Sequence, residues 1–163
     1  AEAPMTHRKE GENLNLKNEK PVASGTLKPG NGWQEVKFDA PVKARFFCFE
    51  ALSSQNGNDN AAIAEFYLLG ENGKPLSRQH WQIAYADSEE TRWGNHTADK
   101  IFDLQESTFW NTVGGDKYPH QVVIDLREEV VVSGFQYLPR AEEGYPGMVK
   151  EYKAYTKMSP FKF

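Results

Sequence analysis

Trp93 stands in the polar run Thr91-Arg92-Trp93-Gly94-Asn95. A large flat apolar ring in such a loop suits two jobs: seating the C–H patch of a sugar, or packing beneath neighbouring loops. A second polar stretch follows, Phe102-Asp103-Leu104-Gln105-Glu106-Ser107-Thr108-Phe109-Trp110, and it forms an oxygen-rich loop ahead of apolar strands. Catalytic chemistry is thin by comparison. His7 lies in a polar tail, and His80, His96 and His120 have no metal-ligand spacing among them. The serines lack a Gly-x-Ser-x-Gly elbow. Glu89-Glu90, Glu128-Glu129 and Glu142-Glu143 are adjacent pairs whose side chains diverge on a strand, so they read as solvated charges and not as carboxylates facing across a cleft. Asn95-His96-Thr97 fits a glycosylation sequon, a pattern too short to carry an argument.

The elements that position these loops are strands. Val36 and Phe38 alternate with Glu35 and Lys37, the pattern of a half-buried strand at 33–38. Residues 44–52 are apolar on both faces and read as a central strand. Further strands are expected at 63–69, 79–85, 121–126, 130–138 and 149–155, with a reverse turn between the third and fourth of these five. Gly, Asn and Pro punctuate them throughout, as in 53–60 and 70–75. Helix signals are weak; a turn or two is expected over 97–102, capped by Thr97. Short strands with such punctuation predict an all-β fold, a jelly-roll β-sandwich.

The chain has 163 residues, enough for one domain with a proper core. Residues 1–20 are polar and unpatterned and read as a linker or surface arm, leaving 21–163 as a single β-sandwich domain. The aromatic share of 13% favours strands and flat-faced ligands. A net charge of -4 argues against a nucleic-acid surface, which needs a basic face. No apolar run approaches the ~20 residues of a membrane span. The opening Ala1-Glu2-Ala3-Pro4-Met5 looks like the start of a fragment from a longer protein, and no cleavable signal peptide is visible. Cys48 sits alone in an apolar strand and reads as a small buried hydrophobe.

Motifs in a fixed order carry a resemblance. Phe102-Asp103 with Thr108 and Trp110, then Ile124-Asp125-Leu126, then Tyr137-Leu138-Pro139-Arg140, are similar to the loop and strand motifs of discoidin, or coagulation-factor type C, domains. The galactose-binding-like carbohydrate-binding modules are among them. Ala61-Ala62-Ile63-Ala64-Glu65-Phe66 resembles a further family motif from the closing half of such domains, yet here it precedes the opening half. A circular permutation, with 70–80 joining normally free ends, accounts for this order at little cost. A cut through tandem repeats accounts for it too. Permutation is preferred because two orphan half-sandwiches would expose sheet edges and half a core each.

The resemblance implies sites. Calcium, usually structural in the family, would be held by Asp103, Thr108 and Glu65 with carbonyls near Ile101 and Gln105. Leu104 and Gln105 replace the family's Gly and Asp, and the alternative is that Asp103 and Thr108 only tie the loop together. A sugar site would join Trp93, Asn111, Arg140 and Tyr145. Asn111 stands where galactose-binding relatives often have His, and Arg140 matches the family's Arg or pairs with Glu142 or Glu143. Trp110 is expected to pack beneath its loop. The function implied is a non-catalytic, carbohydrate-binding module, binding a glycan or oligosaccharide. It would be secreted, periplasmic or at the cell surface, and attached to a bacterial glycan-degrading enzyme such as a chitobiase or hexosaminidase. Alternatives are a protein- or lipid-headgroup-binding adhesion module, or a spacer.

Overall fold

Alternating and then doubly apolar residues in the first half form one long strand, β2 (Gln34–Ala51). The computed structural model describes residues 14–30, 32–140 and 148–163. In it, β2 lies between β7 (His120–Leu138) and β8 (Glu151–Lys157), antiparallel to both. β1 (Ala23–Thr26) continues the sheet beyond β8, and β4 (Glu65–Leu69) and β5 (Gln82–Ala86) pair with β7. A two-stranded ribbon of β3 (Ala62–Ile63) and β6 (Trp110–Asn111) stands apart from this six-stranded sheet. The fold is an all-β, antiparallel β-sandwich. Its main sheet interleaves strands from both halves of the chain. Ala23 pairs with Ala154, so the two ends of the patterned region lie side by side.

The doubly apolar stretch of β2 explains the layering. Phe47 and Phe49 enter the main core with Phe66, Phe135 and Tyr152. Phe46 and Cys48 point the other way, to an outer cluster with Tyr85, Val123, Tyr155 and Phe161. Leu14 and Leu16 cover that cluster, and Asn15 bridges Lys162. Burial pushes the Cys48 thiol well up, so it stays a neutral core group.

Three expectations are corrected. The separate strands at 33–38 and 44–52 are one, because the break between Lys37 and Val42 is a bulge that also absorbs Pro41. The reverse turn expected after Leu126 is also a bulge: β7 runs through, with Arg127 at φ 66. The Asp125 carboxylate secures it, accepting the Arg127 amide N–H at 2.8 Å and the Arg45 Nε–H at 2.8 Å. Thr97 does not cap the short 3-10 helix (Ala98–Phe102) through its side chain. Glu89 Oε2 does so from a distance, accepting the Ala98 N–H at 2.7 Å. Among the described residues no helix is long and apolar enough to cross a membrane.

Candidate functional site

The loops at one rim of the sandwich are set by strand register. β3 pairs Ala62 with Asn111 and Ile63 with Trp110. Trp110 is fully buried and donates its indole N–H to the Ser88 carbonyl at 2.8 Å, so it packs beneath the loop. Trp110 thereby turns its neighbours Phe109 and Asn111 toward the rim. β4 pairs Glu65 with Leu138, and β7 ends there, delivering Arg140 two residues later. Arg140 lies over the Phe109 ring at 4.1 Å, and His96 stacks on the same ring at 4.3 Å. Gly94 leaves room for that histidine, since a Cβ there would come within 2.5 Å of its Nε2.

His96, Asn111 and Arg140 line a pocket of about 580 Å³ with Trp93, Glu89, Glu90 and Asn60. Trp93 is 82% exposed, which sets aside the packing alternative. Its loop is nonetheless held: Glu90 Oε1 accepts the amide N–H of Arg92 at 2.6 Å and of Trp93 at 3.0 Å. Asn111 Oδ1 is buried at the pocket and makes no hydrogen bond within the structure, so it is an acceptor in want of a donor. Thus Trp93, Asn111 and Arg140 share one pocket. Tyr145, Glu142 and Glu143 lie outside the described residues.

Glu89 and Glu90 correct the reading of that pair as solvated charges: Glu90 is buried, and both carboxylates cap backbone amides. His96, Phe109 and Glu90 were not expected at the site. Phe109 carried a signal, since it alternates with the buried Trp110.

The carboxylates of the second candidate site also meet. Glu65 is 2% exposed, and its Oε1 lies 2.9 Å from Arg78 Nη1. Burial raises its carboxyl to about 7; the Arg78 pair opposes this and the facing Asp103 adds to it. Asp103 Oδ1 accepts the Gln105 N–H at 3.0 Å, and Oδ2 accepts the Thr108 hydroxyl, which also reaches the Gln105 carbonyl at 3.1 Å. Glu65 Oε2 is buried without a hydrogen bond. An orphaned carboxylate oxygen beside a carboxylate, a hydroxyl and a carbonyl fits a hard cation in donor type. Among the described residues no group of three or more His, Cys, Asp or Glu forms a richer metal site, so carbonyls, the hydroxyl and water would complete the shell.

Leu104 takes φ 65 where the resembling motif has Gly, and it is 75% exposed. An L side chain is strained in that region. Leu104→Gly should therefore raise stability by about 0.5–1 kcal/mol, read as a higher urea midpoint. A lower midpoint would mean that the side chain packs productively.

Comparison with known proteins gives a family match. Residues 84–161 match the F5/8 type C domain. A sialidase from Micromonospora viridifaciens is 33% identical over 88 residues, 52% of this chain and 13% of the sialidase. The chain thus spans a small part of that relative's length. Taken with the antiparallel sandwich and the ordered motifs on its rim, residues 84–161 belong to the F5/8 type C, or discoidin, domain family.

Proposed function

We propose that the rim pocket is a carbohydrate site and that the chain is a non-catalytic module binding a glycan or oligosaccharide. The observation that carries this is Trp93, an exposed indole on a braced loop, beside Asn111 and Arg140 in one pocket. An aromatic face seats the sugar's C–H patch, Asn111 Oδ1 accepts one hydroxyl, and the planar guanidinium of Arg140 donates to a neighbouring pair. The residues of the pocket bind and orient; none forms a nucleophile–base pair.

The sialidase relative supports a module carried beside an enzyme, at or outside the cell surface. There it would raise the enzyme's local concentration on polymeric substrate. The interleaved sheet supports one permuted sandwich over 21–163, with the 14–20 segment as a surface arm on the outer cluster. Calcium is proposed as an accessory ion held by Glu65, Asp103, Thr108 and the Gln105 carbonyl, where it would neutralise the facing carboxyls.

Titration of galactose, N-acetylglucosamine and their oligomers tests the sugar reading. Binding on the order of micromolar to millimolar is expected. Trp93→Ala and Arg140→Ala should each weaken it by about tenfold or more, near 1.4 kcal/mol, with melting temperature unchanged. Variants that bind as well as the parent would misplace the site. A parent that binds no sugar would move the reading to a protein- or lipid-headgroup-binding adhesion module.

A further inference from the structure

We infer that Arg78 is the resident cation of the 98–108 loop, holding it in form whether or not a metal is present. Its side chain is 3% exposed. One nitrogen, Nη1, sits 2.9 Å from Glu65 Oε1 and donates to the carbonyls of Phe66 and Ile101, both at 3.1 Å. Those oxygens come from two elements, β4 and the 3-10 helix, so a single positive group ties the strand to the loop's root. The guanidinium carbon lies 3.8 Å over the Tyr67 ring, which fixes the plane of the fork.

This is the task a bound cation performs elsewhere: gathering a carboxylate and main-chain carbonyls from separate segments around one charge. Here the Ile101 carbonyl and one Glu65 oxygen are already taken by a covalently tethered charge. Only Glu65 Oε2 is left over on the side facing Asp103. A divalent ion entering there meets the guanidinium as a like charge across one carboxylate, and is held weakly as a result. Asp103 meanwhile is held by its own loop, through the Gln105 amide and the Thr108 hydroxyl. The loop therefore has all its ties without metal. This rests on the Glu65–Arg78–Ile101 geometry and not on the glycan reading, so its test is separate from sugar titration.

Thermal melts of the wild type in excess chelator and in millimolar calcium should agree within about 2 °C. Amide hydrogen exchange at Gln105 and Thr108 should likewise be the same in both. Arg78→Met removes the charge while keeping bulk. It should melt lower and recover part of the loss in calcium, a rescue absent from the wild type. Arg78→Lys, which restores a charge, should lose that calcium dependence. If Arg78→Met folds only with calcium, the inference is upheld more strongly. If it folds in neither condition, the wild-type exchange rates decide. Exchange at Gln105 and Thr108 accelerated by about tenfold or more in chelator would overturn the inference. So would an Arg78→Met that gains no more from calcium than the parent.

Discussion

Replacing Gly134 with alanine is expected to cost about 3 kcal/mol or more, read as a lower urea midpoint at unchanged slope. Gly134 lies in β7 opposite Lys37 of β2 on one side and Leu69 of β4 on the other. A Cβ there would stand 2.3 Å from the Val36 carbonyl oxygen and 3.1 Å from Lys37 Cα. Both are sheet backbone and cannot swing aside as a flexible side chain would. The strands must part, and they do so next to the bulge between Lys37 and Val42, where the ladder is already broken. Gly134→Val should do more damage still, a large share of a typical 5–15 kcal/mol total. The result bears on chain order as well as on packing. Val36 comes from the first half and Gly134 from the second, so the clash exists only if the two halves pair in one sheet. A loss below about 1 kcal/mol would speak for halves that do not pair this way.

The same seam shows what was legible in the sequence. Strand existence was readable because β2 and β7 carry alternation or continuous apolar runs, and Ile124-Asp125-Leu126 and Tyr137-Leu138-Pro139-Arg140 stood out as motifs. Continuity was not readable. Arg127-Glu128-Glu129 looks like a turn by composition, but one left-handed residue and the Asp125 carboxylate convert it to a bulge. Pro41 likewise lies between the two strands expected at 33–38 and 44–52, where the irregular register accommodates it. At the rim, Trp93, Asn111 and Arg140 could be named because each is unusual for its loop or matches a motif. Glu90 and Glu89 could not, since a carboxylate that caps amides two, three or nine residues away looks the same in sequence as a solvated one. Arg78 was invisible for a similar reason: it acts on Glu65 and Ile101 through a connection with no pattern of its own. His120 was dismissed for lacking metal spacing, yet it is among the most tightly held side chains of the structure.

Loss of the His120 side chain, and equally loss of its proton, should loosen the loop beside the rim pocket. The imidazole is fully buried. Nδ1 faces Asp87 Oδ2 at 2.8 Å and Nε2 faces the Asp59 carbonyl at 2.7 Å. Both partners are acceptors, so both ring nitrogens must donate, and only the imidazolium can do that. Burial works against the charge, but the Asp87 hydrogen bond and charge, the Asp59 carbonyl and Asp116 together lift the pKa above its ordinary value. Of the other neighbours, the Tyr118 ring lies 4.6 Å away and Lys117 pairs with the Asp59 side chain at 3.2 Å. Because the folded pKa is raised, the stabilisation is complete below the unfolded value of about 6.5 and fades as pH climbs through the folded one. Once neutral, the ring must turn a lone pair toward Asp87 or toward the Asp59 carbonyl. Asp59 precedes Asn60, which lines the pocket, so faster amide exchange at 57–61 should accompany the fall in melting temperature. His120→Ala should cost about 3–5 kcal/mol at pH 6, since it strips the buried Asp87 Oδ2 of its charged partner and leaves the carboxylate only the Gln121 N–H on Oδ1. His120→Gln keeps one donor and cannot titrate, so its melting temperature should be flatter than the parent's between pH 6 and 9. A parent whose stability does not fall over that range, or a glutamine variant with the same slope, would show that the ring is held neutral and that the tether is not set by pH.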